Sequence, residues 1–256
     1  MSRFDSPYGV CISPNGEELF VADAYNSRIQ VLRMSDGQVI RIIGSKGSST
    51  GQFNWPSGIC ISPNGKFLAV ADTYNERVQV FHTSDGTHYR TLKKKFEYPS
   101  SVCYSPNGEF LFVADSDKNC IQVFDESDGK HVRTIKNHHL VELHDICISP
   151  DGEELYVADN TRYIKVLQAK DGAYLRTIGS HNQLFSPQSI CVTDSGFLFV
   201  SDIDKNNIQK IRSVDGEKVQ VFDARKSHSC GMCVSRNGDE LYVTDLHQNS
   251  IRVFQI

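Results

Sequence analysis

The chain has 256 residues, with 27 Lys and Arg against 31 Asp and Glu, and its formal net charge is −4 at pH 7 with neutral His. This charge argues against a bulk basic nucleic-acid binder, and no apolar run approaches the roughly 18–20 residues that a membrane-spanning helix needs. The first thirty residues include four acidic residues and lack the apolar segment of a secretory signal. We therefore expect neither a membrane partner nor secretion.

One short motif recurs six times along the chain, each time three residues after a cysteine. The motif is Pro-Asn-Gly in the first three units and a close variant of it in the last three. The six cysteines are Cys11, Cys60, Cys103, Cys147, Cys191 and Cys233. Their spacings of 42 to 49 residues suit a propeller blade of four short strands and exceed the period of leucine-rich, ankyrin or tetratricopeptide repeats.

The second unit shows how each repeat divides into strands. Its period-two patterning predicts strand a at 58–62, strand b at 67–71, strand c at 77–81 and strand d at 89–92. Tight turns join a to b at Pro63-Asn64-Gly65 and c to d at Ser84-Asp85-Gly86, where glycine accepts a positive φ. No helical stripe competes with this interpretation.

Six such units predict an all-β chain, a single six-bladed β-propeller over residues 1–256. The predicted blades are 4–44, 53–92, 96–135, 140–179, 184–222 and 228–256. Radial stacking buries the two apolar faces that one sheet cannot cover alone. The sixth unit ends on strand c, so we expect 23 strands and a three-stranded last blade. Two explanations stay open: this strand is an edge available for self-association, or the chain is a fragment whose closing strand is missing.

The second unit resembles the NHL repeat, and the resemblance recurs in register over residues 4–256. It is carried there by Phe53, Pro56, Gly58, Asp72, Asn75, Arg77, Gln79, Phe81, Asp85 and Gly86. The resemblance implies a six-bladed propeller. Its relatives include protein- or RNA-holding domains of tripartite-motif ubiquitin ligases and translational repressors, bacterial sensor domains and a metal-dependent amidating lyase.

The six repeat cysteines are expected to pack as small apolar residues between blades. Equivalent positions lie around a ring, whereas a disulfide needs Cα atoms within about 7 Å of each other. Reduced cysteines imply a reducing compartment, and the absence of glycosylation sequons agrees, so we expect a cytoplasmic protein. Cys230 and Cys233 also form a single Cys-x-x-Cys, for which zinc or redox chemistry is the lesser alternative.

Two further sets of residues offer metal chemistry. His138, His139, Glu142, His144 and Asp145 cluster in a predicted interblade loop, where imidazoles at this spacing suit zinc. A sixfold set that follows strand b suits a calcium ring, and it comprises Asp23, Asp72, Asp115, Asp159, Asp202 and Asp245. For the first set we favour a polar loop. For the second we favour carboxylates that accept backbone N–H bonds in the b–c loop, and so we expect no cofactor.

Charge divides between the two ends of the predicted propeller. The rim of a–b and c–d turns carries seventeen acidic against seven basic residues, whereas the opposite face, formed by the b–c and d–a loops and called the loop face below, carries excess base and interleaved aromatics. We predict that a partner binds this loop face through Tyr25, Arg28, Trp55, Tyr74, Arg77, Lys94, Tyr98, Lys118, Arg162, Tyr163, Lys205 and Arg225. Trp, Tyr and Arg are the usual anchors of interfaces. The strand-d arginines Arg41, Arg90, Arg133 and Arg176 are expected to form a solvated outer ladder.

The sequence lacks Gly-x-Ser-x-Gly, His-Glu-x-x-His and a phosphate-binding glycine loop before a helix. We therefore predict a non-catalytic scaffold, not an enzyme, that binds a protein or peptide, preferably an acidic one. A first alternative is single-stranded RNA on the same face. A second alternative is a metal-dependent lyase or lactonase in the central channel.

Overall fold

The computed structural model describes residues 3–180, 182–224 and 229–256, and they form six antiparallel sheets. The first five sheets have four strands in the order a-b-c-d, and the sixth has three. The six a strands neighbour one another in a closed ring, in which the last lies beside the first. The all-β six-bladed propeller with 23 strands and a three-stranded last blade is thus confirmed. Within these ranges, no helix has the length and apolar character needed to cross a membrane.

The strands of the first three blades are as follows. Blade 1 contains β1 (Pro7–Ile12), β2 (Glu18–Asp23), β3 (Arg28–Arg33) and β4 (Val39–Ile43). Blade 2 contains β5 (Pro56–Ile61), β6 (Phe67–Asp72), β7 (Arg77–His82) and β8 (His88–Thr91), with a 3-10 turn at Thr73–Asn75 between β6 and β7. Blade 3 contains β9 (Pro99–Tyr104), β10 (Phe110–Asp115), β11 (Cys120–Asp125) and β12 (His131–Lys136).

The remaining blades repeat the arrangement. Blade 4 contains β13 (Leu143–Ile148), β14 (Glu154–Asp159), β15 (Ile164–Gln168) and β16 (Tyr174–Ile178). Blade 5 contains β17 (Pro187–Val192), β18 (Phe197–Asp202), β19 (Asn207–Arg212) and β20 (Lys218–Asp223). Blade 6 contains β21 (Ser229–Val234), β22 (Glu240–Asp245) and β23 (Ser250–Gln255).

The inner strands begin earlier than their sequence pattern indicates. In blade 2, β5 starts at Pro56, which pairs with Asp72, and a bulge then separates this pair from the next one, between Ile59 and Val70. The bulge interrupts the period-two alternation that marks a strand in the sequence. For the same reason His144 and Asp145, predicted in a loop, lie in strand β13 after its first residue.

The core consists of apolar clusters between neighbouring blades. Phe53 and Phe96, which precede strand a of blades 2 and 3, are fully buried in them. The repeat cysteines pack at the inner edge of these clusters, and all eight cysteines are free thiols, as predicted. Burial raises the pKa of the Cys60 thiol to about 11, so this sulfur remains protonated and behaves as an apolar group.

The channel wall differs between two halves of the ring at the position two residues before each repeat cysteine. Blades 6, 1 and 2 have glycine there, and blades 3, 4 and 5 have a polar residue: the six are Gly231, Gly9, Gly58, Ser101, Asp145 and Ser189. A Cβ on Gly58 would lie 2.5 Å from the Ser101 Cα of the next inner strand. The glycines therefore let neighbouring inner strands approach closely.

Candidate functional site

Buried aspartates bind the backbone of the loops that form the loop face. Each ends strand b, and in blades 1 to 5 its carboxylate receives backbone N–H groups of the segment that leads into strand a: Asp5 N donates to Asp23 at 2.7 Å, and Asn54 N donates to Asp72 at 2.8 Å. The prediction that the donors lie in the b–c loop is therefore wrong for these two. The end of strand b lies beside the start of strand a, where the amides of the preceding loop converge. Asp245 does accept bonds in its own b–c loop, from the amides of residues 247 and 248.

Two of the predicted partner-binding arginines are used within the loops. The Arg77 Nε lies 2.7 Å from an Asp72 oxygen, and its other nitrogens donate to carbonyls of Ser48, Ser49 and Gln52, each at 2.8 Å. Arg28 makes the equivalent 2.8 Å pair with the buried aspartate of blade 1. These guanidinium groups hold the d–a loops in place, which leaves fewer of their donors for a ligand.

A cationic cluster occupies the loop face of blades 4 and 5. Its centre is Phe185, which is 37% exposed, and the Arg162 guanidinium and the Lys205 ammonium lie 4.7 Å and 4.9 Å from the ring centroid. The Lys205 ammonium also donates to the Asn182 carbonyl. Tyr163 is the remaining predicted residue here, and the Lys165 ammonium lies 5.3 Å from its ring centroid. Phe185 was not predicted, because a lone phenylalanine in a loop gives no signal of its two cationic neighbours.

The charge on the loop face is mixed. The Lys118 ammonium lies 3.2 Å from Asp115 and donates to the Lys95 carbonyl at 2.8 Å, whereas Lys94 is half-buried. Arg225 lies outside the described residues. Exposed acids share the face with these lysines, namely Glu76, Glu97, Asp117, Glu142 and Asp204. The excess of base over the whole face is therefore broken up locally by carboxylates.

Four of the predicted residues form one continuous aromatic row across blades 1 to 3. Its rings are Tyr25, Trp55, Tyr74 and Tyr98, with successive centroids 6.1, 5.6 and 6.2 Å apart. The Trp55 and Tyr74 rings are stacked at an interplanar angle of 29°, and the other two contacts are edge-to-face. Tyr25 and Tyr74 are 66% and 53% exposed, so the row presents ring faces and edges to solvent.

The row ends beside the mouth of the central channel. Burial raises the pKa of Tyr98, and the neighbouring Tyr74 raises it further. Burial likewise raises the pKa of Tyr8, which hydrogen-bonds to Cys230 and interacts with the Tyr98 hydroxyl. Tyr8 was not singled out in the sequence, because its position before strand a gives no sign that it faces the channel.

A cavity of about 180 Å³ lies in the channel and is lined by inner-strand residues that include His144 and Asp145. The Asp145 carboxylate accepts hydrogen bonds from Ser101 Oγ at 2.6 Å and Ser189 Oγ at 2.8 Å, and from the amides of residues 146 and 190 at 2.9 Å. Burial raises the Asp145 pKa and outweighs these bonds, which act in the opposite direction. The His144 Nδ1 lies 2.7 Å from the Gln188 side-chain nitrogen.

Neither set of residues with possible metal chemistry assembles in the described ranges 3–180, 182–224 and 229–256, where no group of three or more His, Cys, Asp and Glu side chains is placed to hold a metal ion. The His139 ring stacks on Tyr174 with a centroid distance of 4.1 Å, away from Asp145 in its strand. Burial raises the pKa of Cys230 to about 12, which disfavours the thiolate that zinc or redox chemistry requires.

Comparison with known proteins shows a family and similar solved structures. A family model described as lactonase, a seven-bladed β-propeller, matches residues 6–144. A solved chain of hydrazine synthase from Kuenenia stuttgartiensis is similar with a TM-score of 0.77 and 16% identity, over 100% of this chain and 97% of that chain. The search of curated proteins finds no match. At this identity the solved structure shows the fold alone.

These findings correct one prediction and leave a second one unconfirmed. The matched family is named for an enzyme, so the prediction that the chain is not an enzyme is contradicted, although the match is distant. The NHL family specifically is not confirmed. The number of blades also differs from the family's description, because the described residues form six sheets and not seven.

Proposed function

Since the chain belongs to the lactonase family of β-propellers, we propose that its loop face is a ligand-binding face and that a protein or peptide segment docks there over the aromatic row. The observation that carries this proposal is the row itself. Aromatic rings offer large, rigid contact areas at low entropic cost, and exposed Tyr and Trp clusters are typical of interaction sites. Tyr25 and Tyr74 remain exposed, because no described residue covers the solvent side of their rings.

A peptide fits this surface better than RNA does. A protein that binds single strands needs a positive groove along the phosphates beside its stacking rings. Here the Arg77 donors are committed to loop carbonyls, and exposed Glu76 and Glu97 lie on the same blades as the row. Tyrosine hydroxyls and half-exposed rings instead suit a peptide that has apolar side chains together with charged side chains of both signs.

The test uses a phage-displayed peptide library selected on the wild-type protein. Peptides from this selection should lose at least about tenfold in affinity for Tyr74→Ala, because the variant removes the centre of the row. The matched control is Tyr89→Ala, which removes a 42% exposed tyrosine of outer strand β8 and should leave the affinity unchanged. Equal affinity of both variants would contradict the proposal, as would salt-dependent binding of oligouridine with no selected peptide.

A second candidate function is the hydrolysis of a small lactone at the channel mouth, which the family match favours. A base takes one proton from water as the water oxygen adds to the lactone carbonyl, and the ring C–O bond then breaks. The same proton passes to the leaving alkoxide, so a hydroxy acid forms, and its carboxyl group releases a proton to solvent. His144 lines the cavity, and donation of its Nδ1–H to the Pro187 carbonyl at 3.1 Å leaves the lone pair on Nε2, so its imidazole is the candidate base.

This candidate is tested by proton release from δ-valerolactone. Wild-type protein should release acid faster than buffer does, and His144→Ala should reduce the excess rate by about two orders of magnitude or more. The control Tyr25→Ala, which is remote from the cavity lining, should retain the rate. Proton release no faster than in buffer would overturn the candidate.

A further inference from the structure

The outer edge of β23 differs from the outer edge of every other strand c. In blades 1 to 5 a fourth strand pairs with strand c, whereas no described strand pairs with β23 on that side. The other c strands each contain three to five buried residues, and β23 contains none. Val253, at the centre of this edge, is 49% exposed.

Blade 4 shows what a complete blade places at this edge. Its strand b begins Glu-Leu-Tyr-Val, with Tyr156 donating from its hydroxyl to Glu154 at 2.9 Å. Arg176 on strand d also pairs with Glu154, with one nitrogen 2.8 Å from a carboxylate oxygen. The same nitrogen donates to the Ser213 carbonyl of the next blade at 3.1 Å. The arginine thus joins its own blade to the neighbouring one.

Blade 6 repeats the receiving half of this arrangement. Its strand b also begins Glu-Leu-Tyr-Val, and the Tyr242 hydroxyl donates to Glu240 at 2.6 Å. Tyr242 is paired with Val253 as Tyr156 is with Val166, and Val166 is the residue opposite Arg176. The other contact of Glu240 that the structure shows is a neutral one, from the Gln255 amide at 3.1 Å.

The other interblade grooves each contain a cation supplied by strand d or strand c. These residues are Arg41, Arg90, Arg133, Arg176 and Lys210, and four of them lie within 6.0 Å of an aromatic ring centroid. The strand-d arginines are therefore not the solvated ladder that the sequence suggested. Three of these arginines donate to a backbone carbonyl of the next blade: Arg90 to Glu126, Arg133 to Ala169 and Arg176 to Ser213. Blade 6 has the uncharged Val253 at the strand-c position of Lys210, and no described strand d that could supply an arginine.

The groove between blades 6 and 1 is about as large as the groove between blades 4 and 5, whose cavity is about 720 Å³, and the two differ in their charged groups. The groove between blades 6 and 1 contains a cavity of about 730 Å³, whose lining includes Glu17, Glu18, Glu240, Tyr242 and Met34, the last being the counterpart of Ser213. Glu18 is paired with Arg41 on strand d of blade 1, at 3.2 Å. The lining contains two arginines: Arg33, the last residue of β3, pairs with Asp36, and Arg236, in the a–b turn of blade 6, donates to the Pro14 carbonyl. Among the residues that the structure describes, no guanidinium thus pairs with Glu240 as Arg176 pairs with Glu154 in blade 4.

We propose that the edge of β23 binds an extended segment of a partner polypeptide, which adds the fourth strand of blade 6 and inserts an arginine side chain between Glu240 and the Met34 carbonyl. The strand supplies backbone hydrogen bonds to the edge, and the arginine supplies the specificity. The segment has the pattern common to β12 and β16, an aliphatic residue followed by Arg, Thr and Ile.

A second copy of this chain is a poorer occupant. The cation that β23 could offer to its own counterpart is Arg252. This side chain is already engaged, because it donates to the Asp223 carbonyl at 3.2 Å and its guanidinium carbon lies 4.9 Å from the Phe254 ring centroid. A self-paired edge would have to break both contacts to reach Glu240.

The experiment uses a fluorescent peptide that copies residues 173–179, with Arg176→Glu in the peptide as its matched control. Anisotropy should show binding of the arginine peptide to the wild-type chain, at least about tenfold tighter than that of the glutamate peptide. Glu240→Lys in the protein should reverse this preference. Glu153→Lys, the same charge change at an exposed turn of blade 4, should not.

Three results would overturn the proposal: no binding of the arginine peptide, equal binding of the two peptides to the wild-type chain, or an unchanged preference in Glu240→Lys. Because the comparison of the two peptides uses wild-type protein, it stands even if the variant fails to fold. Light scattering tests the other occupant, a second copy of this chain. A stable dimer that excludes the peptide would assign the edge to that copy.

Discussion

The two halves of the channel wall close the same ring by different physical means. In blades 6, 1 and 2, glycines on the inner strands let neighbouring backbones approach more closely than any side chain allows. In blades 3, 4 and 5, the Asp145 carboxylate lies between Ser101 and Ser189 and bonds to both inner strands beside its own. A propeller with imperfect repeats can therefore seal its centre by backbone contact on one side and by a shared polar group on the other.

The largest effect should come from removing the shared carboxylate. Asp145→Ala leaves two serine hydroxyls and two amides without their acceptor, so we expect the free energy of unfolding to fall by about 2–4 kcal/mol. Urea unfolding measures this change. Asp194→Ala, at an exposed turn, is the control and should change stability by less than about 0.5 kcal/mol. A similar small loss in both variants would mean that the polar half does not depend on Asp145.

The glycine half is tested by adding a single methyl group. Gly58→Ala places a Cβ 2.5 Å from the Ser101 Cα, and we expect this overpacking to cost about 2–3 kcal/mol. In Gly16→Ala the added methyl meets nothing within 4 Å, so the loss comes only from the strain of its positive φ, about 1 kcal/mol. Thermal unfolding of the two variants gives the comparison. A smaller loss for Gly58→Ala than for Gly16→Ala would show that the inner strands can separate.

A smaller effect is expected when one donor to the carboxylate is removed. Ser189→Ala deletes the 2.8 Å bond to Asp145 but leaves its other three donors, so we expect a loss of about 1–2 kcal/mol. A double-mutant cycle with Asp145→Ala measures whether the loss arises from this bond. Additive losses in the double variant would show that the serine acts through packing alone.

The smallest expected effect is a pH dependence of the stability that Asp145 contributes to the polar half of the channel wall. Burial raises the Asp145 pKa above its unfolded value, so the folded state binds this proton more tightly. Its contribution to stability is complete below the unfolded pKa of about 3.9 and is lost as pH rises through the folded pKa. The stability difference between wild type and Asp145→Asn should therefore become smaller as pH rises from about 4 to 7. A difference that grows instead would show that the four hydrogen bonds outweigh burial.

The sequence predicted individual residues of the candidate site better than it predicted their grouping. Tyr25, Trp55, Tyr74 and Tyr98 were all predicted on the loop face, yet nothing in their spacing shows that they make one row. Arg77 was predicted beside them and is instead committed to three loop carbonyls. Local composition places a residue at one end of a repeat, but side-chain partners belong to other repeats and are invisible in the pattern.

By itself, the sequence determined the number of blades, the assignment of strands within each repeat and the three strands of blade 6. These features follow from turn chemistry and period-two alternation, which act between residues close together in the chain. The tertiary structure decided that Asp145 faces the channel, that the strand-d arginines enter interblade grooves and that Glu240 lies with Tyr242 in the groove between blades 6 and 1. These features depend on contacts across blades about 40 residues apart, which exist only once the ring has closed.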